Sequence, residues 1–254
     1  MVVFAAQGDP RRTMALLWRG PDAAQARPGP RPTLSVAAII EAAVAVADAE
    51  GMAGLSMRAV GEALGRTAMA LYTYVADKAE LLDLMYDHVH GELVADALDD
   101  WRAGVTAWAW ERWEFYLRHP WVLHVSMARP VLGPKELDSA ERLLRVLRPA
   151  GLPAPVVVGV MSELTYLVQG AAAVVNDSRR AARETGQSDE EWWYARSAEL
   201  IEVAPGFGER YPLLTWVQSN KEINESEPYM EQEARVSFEV GLGVLLDGIA
   251  VRAN

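Results

Sequence analysis

From Ser35 onward the apolar residues of this chain recur at three- and four-residue spacing, and beyond residue 100 no run sustains the period-two alternation of a half-buried strand. That periodicity dictates an all-α fold. Turn-forming clusters punctuate it at His119-Pro120, Gly133-Pro134, Gly151 to Pro155, Gly186 to Ser188, Pro205 to Gly208 and Asn220 to Pro228. The breaks predict helices near 101–118, 120–128, 135–149, 155–183, 189–202, 210–219 and 229–251. The continuous apolar stretches fall well short of the roughly 20 residues of a membrane span, and no leader-like hydrophobic segment opens the chain. The sequence therefore reads as cytoplasmic, with no membrane partner. It contains no cysteine, which excludes disulfide frameworks, thiolate metal clusters and cysteine nucleophiles.

Charge divides the chain unevenly. Residues 1–34 carry five Arg against two Asp and are interrupted by Gly8, Pro10, Gly20, Pro21 and the cluster Pro28-Gly29-Pro30-Arg31-Pro32. They read as a flexible basic arm, with a short amphipathic turn around Thr13 to Trp18 and Trp18 packed on a partner surface. Most of the net charge of -11 lies beyond residue 80. An acidic body is repelled by a polyanion, so any nucleic acid would be held by the front end.

Between residues 35 and 80 the pattern tightens. Ser35 caps a helix carrying Ile39, Ile40, Ala43, Val44 and Ala47 up to Gly51, and Ser56 caps a second, Met57 to Leu64, ended by Gly65. Thr67 opens a third short run to Tyr74, and Asp77 caps a fourth helix, 78–98, with Leu81, Leu82, Met85, Val89 and Leu93 along one side. Two short helices joined through Gly65 form a helix-turn-helix candidate.

These residues resemble a known family. Ser56-Met57-Arg58-Ala59-Val60-Gly61-Glu62-Ala63-Leu64-Gly65, followed by Leu71-Tyr72-Thr73-Tyr74-Val75-Ala76-Asp77-Lys78-Ala79-Glu80-Leu81-Leu82, is similar to the DNA-binding domain of TetR-family repressors. Past residue 100 the likeness is one of architecture, to the tetracycline-repressor-like ligand-binding domain. The resemblance implies an N-terminal three-helix DNA-binding domain at 35–80, joined through a linking helix to a larger helical ligand-binding and dimerisation domain at 81–254. It implies a homodimer that binds a palindromic double-stranded operator and is released by a small hydrophobic or aromatic effector, without a cofactor.

The same resemblance places residues 67–74 in the major groove, where all four base pairs are distinguishable. Thr67, Ala68, Met69 and Thr73 are then base-facing; Leu71 and Val75 already supply the inward i, i+4 anchor, which frees Met69. Arg58 reads as a base or phosphate contact, its guanidinium able to grip guanine bidentately, with a solvated surface arginine as the lesser alternative. Tyr72 and Tyr74 can each bury a ring and still offer a hydroxyl to phosphate, Tyr74 being the stronger candidate. Lys78 stands at the positive end of a helix dipole, which argues for an anionic partner there. Arg66 departs from the family's small apolar residue at that position and is expected to reach phosphate or base. Gly61 inside a helix is also unexpected, and close helix packing would explain it. Arg31, just before the first helix of the motif, is placed to enter the adjacent minor groove.

In the body, Trp108, Trp113 and Trp121 are either ordinary core or the wall of an aromatic pocket, and His124, Glu163, Tyr166, Gln169 and Asn176 are sparse polar groups able to orient a ligand. The segments 155–183 and 229–251 combine small and branched residues, including Gly159, Gly170, Gly241 and Gly243, and match the family's dimer helices. The rival is an all-helical ligand-binding dimer or enzyme without DNA binding. Against the enzyme, the four histidines have no metal spacing, and no GxSxG, phosphate loop, GxGxxG or HExxH occurs. No catalytic or metal residue is assigned.

Overall fold

A computed structural model describes residues 2–19, 34–94, 100–221, 224 and 226–253. Among the described residues it is helical throughout, apart from one parallel bridge between Val3 and Val125. The chain divides into two compact units, residues 1–165 with 248–254, and residues 166–247.

The first unit begins with α1 (Pro10–Arg19), which buries Thr13, and the residues before it are packed as well, with Ala5 buried. The free basic arm expected from the sequence is thus replaced over residues 2–19 by a docked segment, because Val3 pairs with the backbone at residues 124 and 126. The expected helical turn at 13–18 is part of α1, and the Trp18 indole donates to the Leu132 carbonyl at 3.1 Å. Arg31 lies outside the described residues.

Next comes α2 (Val36–Gly54), capped by the Ser35 hydroxyl and burying Val36, Ile39, Ile40, Ala43 and Ala47. It continues past its expected end through a kink at Gly51, whose φ of 68° suits glycine. α3 (Met57–Ala63) is capped by Ser56. α4 (Ala68–Leu71) is shorter than the 67–74 expected, and its fourth residue and Val75 are fully buried, as the i, i+4 anchor required.

α5 (Lys78–His90) is capped by Asp77 and ends at Gly91, well before the expected residue 98; residues 95–98 lie outside the described residues. Its apolar side packs on α2, as the sequence implied. Its polar side is buried too: Glu80, Asp83, Asp87 and His90 are each 5% exposed or less. The N-terminal segment and α7 (Pro134–Leu147) cover that side. Asp87 caps α7 from a distance, accepting the Lys135 and Glu136 amides at 2.9 and 3.0 Å, which satisfies donors that every helix start leaves open.

Between them lies α6 (Trp101–Arg118), followed by a single 3-10 turn, Pro120–His124, where a helix to residue 128 was expected. Val125 is extended and bridges to Val3, which ends the helix. His119 joins the motif to the body: its Nδ1 lies 2.8 Å from Asp48 on α2 and its Nε2 3.2 Å from Glu92.

These contacts set a pH dependence. Burial alone would lower the His119 pKa, but the hydrogen bonds with Asp48 and Glu92 outweigh it and the net shift is upward. Its imidazolium stabilises the fold fully below the ordinary value of 6.5, and the contribution is lost as pH rises through the higher folded value. His90 works the other way. Burial first, and then Arg112, push it down to about 3, so below its ordinary 6.5 the unfolded chain takes up a proton the fold refuses. Stability from the His119 contacts is expected to fall as pH rises above 6.5, and His119→Gln is expected to flatten that alkaline decline. Melts of both proteins across that range check it; an unchanged alkaline limb in the variant overturns it.

α8 (Ala154–Thr185) runs from the first unit into the second. By length and composition it is apolar enough to cross a membrane, with a mean hydropathy of 1.4 over 18 residues. Leu164, Val168, Ala172 and Val175 form a buried stripe along it. In the second unit follow α9 (Asp189–Val203), α10 (Phe207–Arg210), α11 (Pro212–Ser219) and α12 (Tyr229–Ala253), the last ending in the first unit. The helix expected at 210–219 is split at Tyr211, because the residue before Pro212 is driven out of the helical region. α8 and α12 meet through the two-pronged Arg179–Glu231 pair at 2.8 and 2.7 Å. They also approach at Gly241, where a Cβ would stand 3.0 Å from a Leu167 methyl.

Candidate nucleic-acid interface and ligand cavity

The geometry around α4 begins with Gly61. A Cβ there would lie 2.8 Å from the Arg66 carbonyl oxygen and 3.2 Å from the Ala68 nitrogen, so only glycine lets the connecting turn close onto α3. The Arg66 amide then donates to the Gly61 carbonyl at 2.8 Å, and Gly65 turns the chain at a φ of 63°. With Leu71 and Val75 anchored inside, the opposite face of α4 points away from the protein. Met69 on that face is 75% exposed, and Arg66, Thr67, Tyr72 and Thr73 are exposed around it, while Ala68 is half-buried. Thr67 occupies the cap position of α4 without a capping bond, so its hydroxyl is available to a ligand.

The charged candidates are engaged to different degrees. Arg58 is exposed and pairs with Glu62 one helical turn on, at 2.8 Å. Lys78 donates to the Leu55 carbonyl, at the C-terminal cap of α2, at 2.6 Å. That bond gives the lysine a structural reason to stand at the wrong end of a helix dipole, and the ammonium keeps two further donors. Tyr74 is half-buried, and its carbonyl accepts from Arg12 at 3.2 Å. Ten residues were singled out in the sequence as DNA contacts; the structure brings Arg66, Thr67, Ala68, Met69, Tyr72, Thr73 and Tyr74 together around α4.

The sensor candidates distribute differently. Trp108, Trp113 and Trp121 are buried in the first unit, Trp121 completely, with its indole donating to Asp48 at 2.8 Å. His124 is half-buried there and its carbonyl accepts the Val3 amide; Glu163 is exposed. Tyr166, Gln169 and Asn176 belong to the second unit, the first exposed and the others half-buried.

A cavity of about 140 Å³ lies elsewhere in the first unit, lined by Ala5, Tyr86, Val125, Met127, Arg129 and Glu136 among others. None of the eight sensor candidates lines it. Burial raises the Glu136 pKa, against the Leu132 amide that donates to its carboxylate. Burial likewise raises that of the Tyr86 hydroxyl. The cavity therefore offers a carboxyl and a phenol inclined to hold their protons, beside the Arg129 guanidinium. At this size it takes a single small ring, since pockets for drug-sized ligands run to roughly 300–1,000 Å³. The sequence carried little signal for it: Ala5 reaches it from the far N-terminus, and Arg129-Pro130 looks like any turn.

A short exposed helix held against its neighbour by a glycine-dependent turn has the geometry of a helix-turn-helix DNA-binding motif. Comparison with known proteins agrees. Residues 39–85 match the bacterial regulatory protein tetR family, and residues 95–253 the tetracyclin repressor-like C-terminal domain. The chain is 41% identical to the HTH-type transcriptional repressor DrrR1 of Streptomyces coeruleorubidus, over 96% of this chain and 87% of that one. Among solved structures, the TetR regulator SCO7222 of Streptomyces coelicolor has a TM-score of 0.65 at 27% identity, covering 87% of this chain and all of the other. ActR of Streptomyces coelicolor, solved in complex with actinorhodin, shares the fold with a TM-score of 0.66 at 23% identity, covering 87% of this chain and 99% of that one. The chain belongs to the TetR family of transcriptional regulators, a non-enzyme class whose members bind operator DNA as homodimers and respond to small molecules.

Proposed function

We propose that this chain represses transcription from the cytoplasm, reading a palindromic operator through residues 66–74 of two protomers, and that an aromatic effector releases it. The observation that carries the reading is Met69: a large apolar side chain 75% exposed at the centre of an otherwise well-anchored motif is what a base-edge contact requires. Arg58, Tyr74 and Lys78 are assigned to phosphates, and Thr67, Ala68 and Thr73 to the groove. The likeness to DrrR1, a transcriptional repressor, supports repression as the direction of control. No reaction is assigned to the chain.

The dimer reading rests on α8 and α12. Val236, Val240 and Val244 form an exposed stripe at four-residue spacing on α12, opposite the buried Phe238, Leu242 and Leu246. Gly159 and Gly170 on α8 and Gly243 on α12 have open space at the Cβ position, so another backbone can come close. A second copy would cover the surplus apolar surface that gives α8 its membrane-like composition.

Selection of duplexes from a random pool tests the function, followed by titrations at two salt concentrations. The wild type is expected to enrich a palindrome; Lys78→Ala is expected to weaken every duplex and to lower the salt slope by about 1, whereas Met69→Ala changes the preferred bases. Failure to enrich any duplex overturns the reading.

A further inference from the structure

The docked N-terminal segment touches three parts of the first unit that the function needs. At one end the Val3 amide donates to the His124 carbonyl and the Ser126 amide to the Val3 carbonyl, each at 2.8 Å. Ala5 forms part of the cavity wall. In the middle, Ala6 adopts a left-handed φ of 54° and its amide donates to the buried Asp83 carboxylate on α5 at 2.8 Å. A non-glycine residue is strained there and persists only where its surroundings hold it. At the other end Arg12 donates through Nε to Glu80 at 2.8 Å and through Nη2 to the Tyr74 carbonyl at 3.2 Å.

Glu80 gives that last contact its leverage. It is 1% exposed, and its second oxygen accepts the Ala76 amide at 2.8 Å. One buried carboxylate thus ties Arg12 to the turn leaving the DNA-reading segment, through charge-assisted bonds stronger than neutral ones. Trp18 anchors the end of α1 back at Leu132, on the same loop that lines the cavity.

We propose that residues 2–19 are a strut running beside α5, which couples the cavity loop 124–132 to the end of the DNA-reading segment, with Arg12 as the positioning residue at the DNA end and Val3 at the cavity end. It rests on the reading of residues 66–74 as the DNA contact. A shift of the loop moves Val3, the segment is pinned to α5 at Ala6, and Arg12 carries the displacement to the Tyr74 carbonyl. Coupling of this kind is reciprocal, so a change at either end must register at the other.

The test cuts each end and reads the opposite one by amide hydrogen exchange in the full-length protein. Arg12→Gln is expected to speed exchange of the Ser126 amide, and Val3→Pro, which deletes the donor to His124, to speed exchange of the Val75 amide, each about fivefold or more. Both are expected to weaken binding of the duplex selected by the wild type by a similar factor, and Arg12→Lys to recover part of the loss. Faster exchange confined to the mutated end in both variants overturns the strut and leaves only local packing. If the wild type selects no duplex, the DNA reading fails, and the exchange results alone decide whether the two ends are coupled.

Discussion

Gly61→Ala is expected to destabilise this protein, although helix propensity says the opposite. Alanine inside a helix is favoured over glycine by about 1 kcal/mol, and on that ground alone the variant would melt higher. The new methyl carbon would instead stand 2.8 Å from the Arg66 oxygen, 3.2 Å from the Ala68 nitrogen and 3.3 Å from the Thr67 carbonyl carbon. All three are backbone atoms and cannot swing aside. Overpacking of this kind costs about 1–3 kcal/mol, so a net loss of up to about 2 kcal/mol is expected after the propensity gain. The effect on DNA binding is expected to exceed tenfold, since the turn that yields is the one aiming α4. Thermal melts and duplex titrations check it; a raised melting temperature with unchanged affinity would show that the turn does not close onto Gly61.

Trp121→Ala is expected to be the most damaging single change, by about 3–5 kcal/mol, the usual loss for truncating a buried aromatic residue. The side chain is fully buried, and the indole shares the Asp48 Oδ1 atom with His119. Its removal opens a cavity and leaves that carboxylate with one donor fewer, at the joint between α2 and the body. Trp121→Phe is expected to retain much of the packing and lose the hydrogen bond. Denaturant unfolding of the three proteins measures both effects. A Trp121→Ala protein of normal stability that no longer responds to an effector would instead make this residue a ligand wall.

The two outcomes matter because they separate what the sequence could show from what it could not. Helix-scale organisation was legible where a cap and a terminator agree, as at Ser56 and Gly65; for α5 the cap at Asp77 was legible, but its end at Gly91 was not. It failed where tertiary partners took over. The extension of the 120–124 turn was cut short by pairing with Val3, about 120 residues upstream, and local periodicity carries no information at that distance. The exposed face of α4 was legible because it is local: a four-residue helix and its flanks, with inward and outward positions fixed by spacing. The cavity was not, because Ala5, Tyr86, Arg129 and Glu136 come from four separate segments. Lys78 shows an intermediate case. Its mismatch with the helix dipole was visible in the sequence, but the Leu55 carbonyl that accounts for part of it was not.

α9 has no buried residue, yet it carries Trp192, Trp193, Leu200 and Ile201, all exposed. An isolated helix of this length is marginal in water even with a good capping box at Ser188 and Glu191. In a homodimeric family, cover for such a surface comes with assembly, which makes folding and association one equilibrium. The melting temperature should then climb with total protein concentration, each tenfold dilution removing up to about 1.4 kcal/mol of dimer stability. Diluted far enough, the chain is expected to lose part of its own structure along with its partner, so that dilution alone weakens operator binding without any effector.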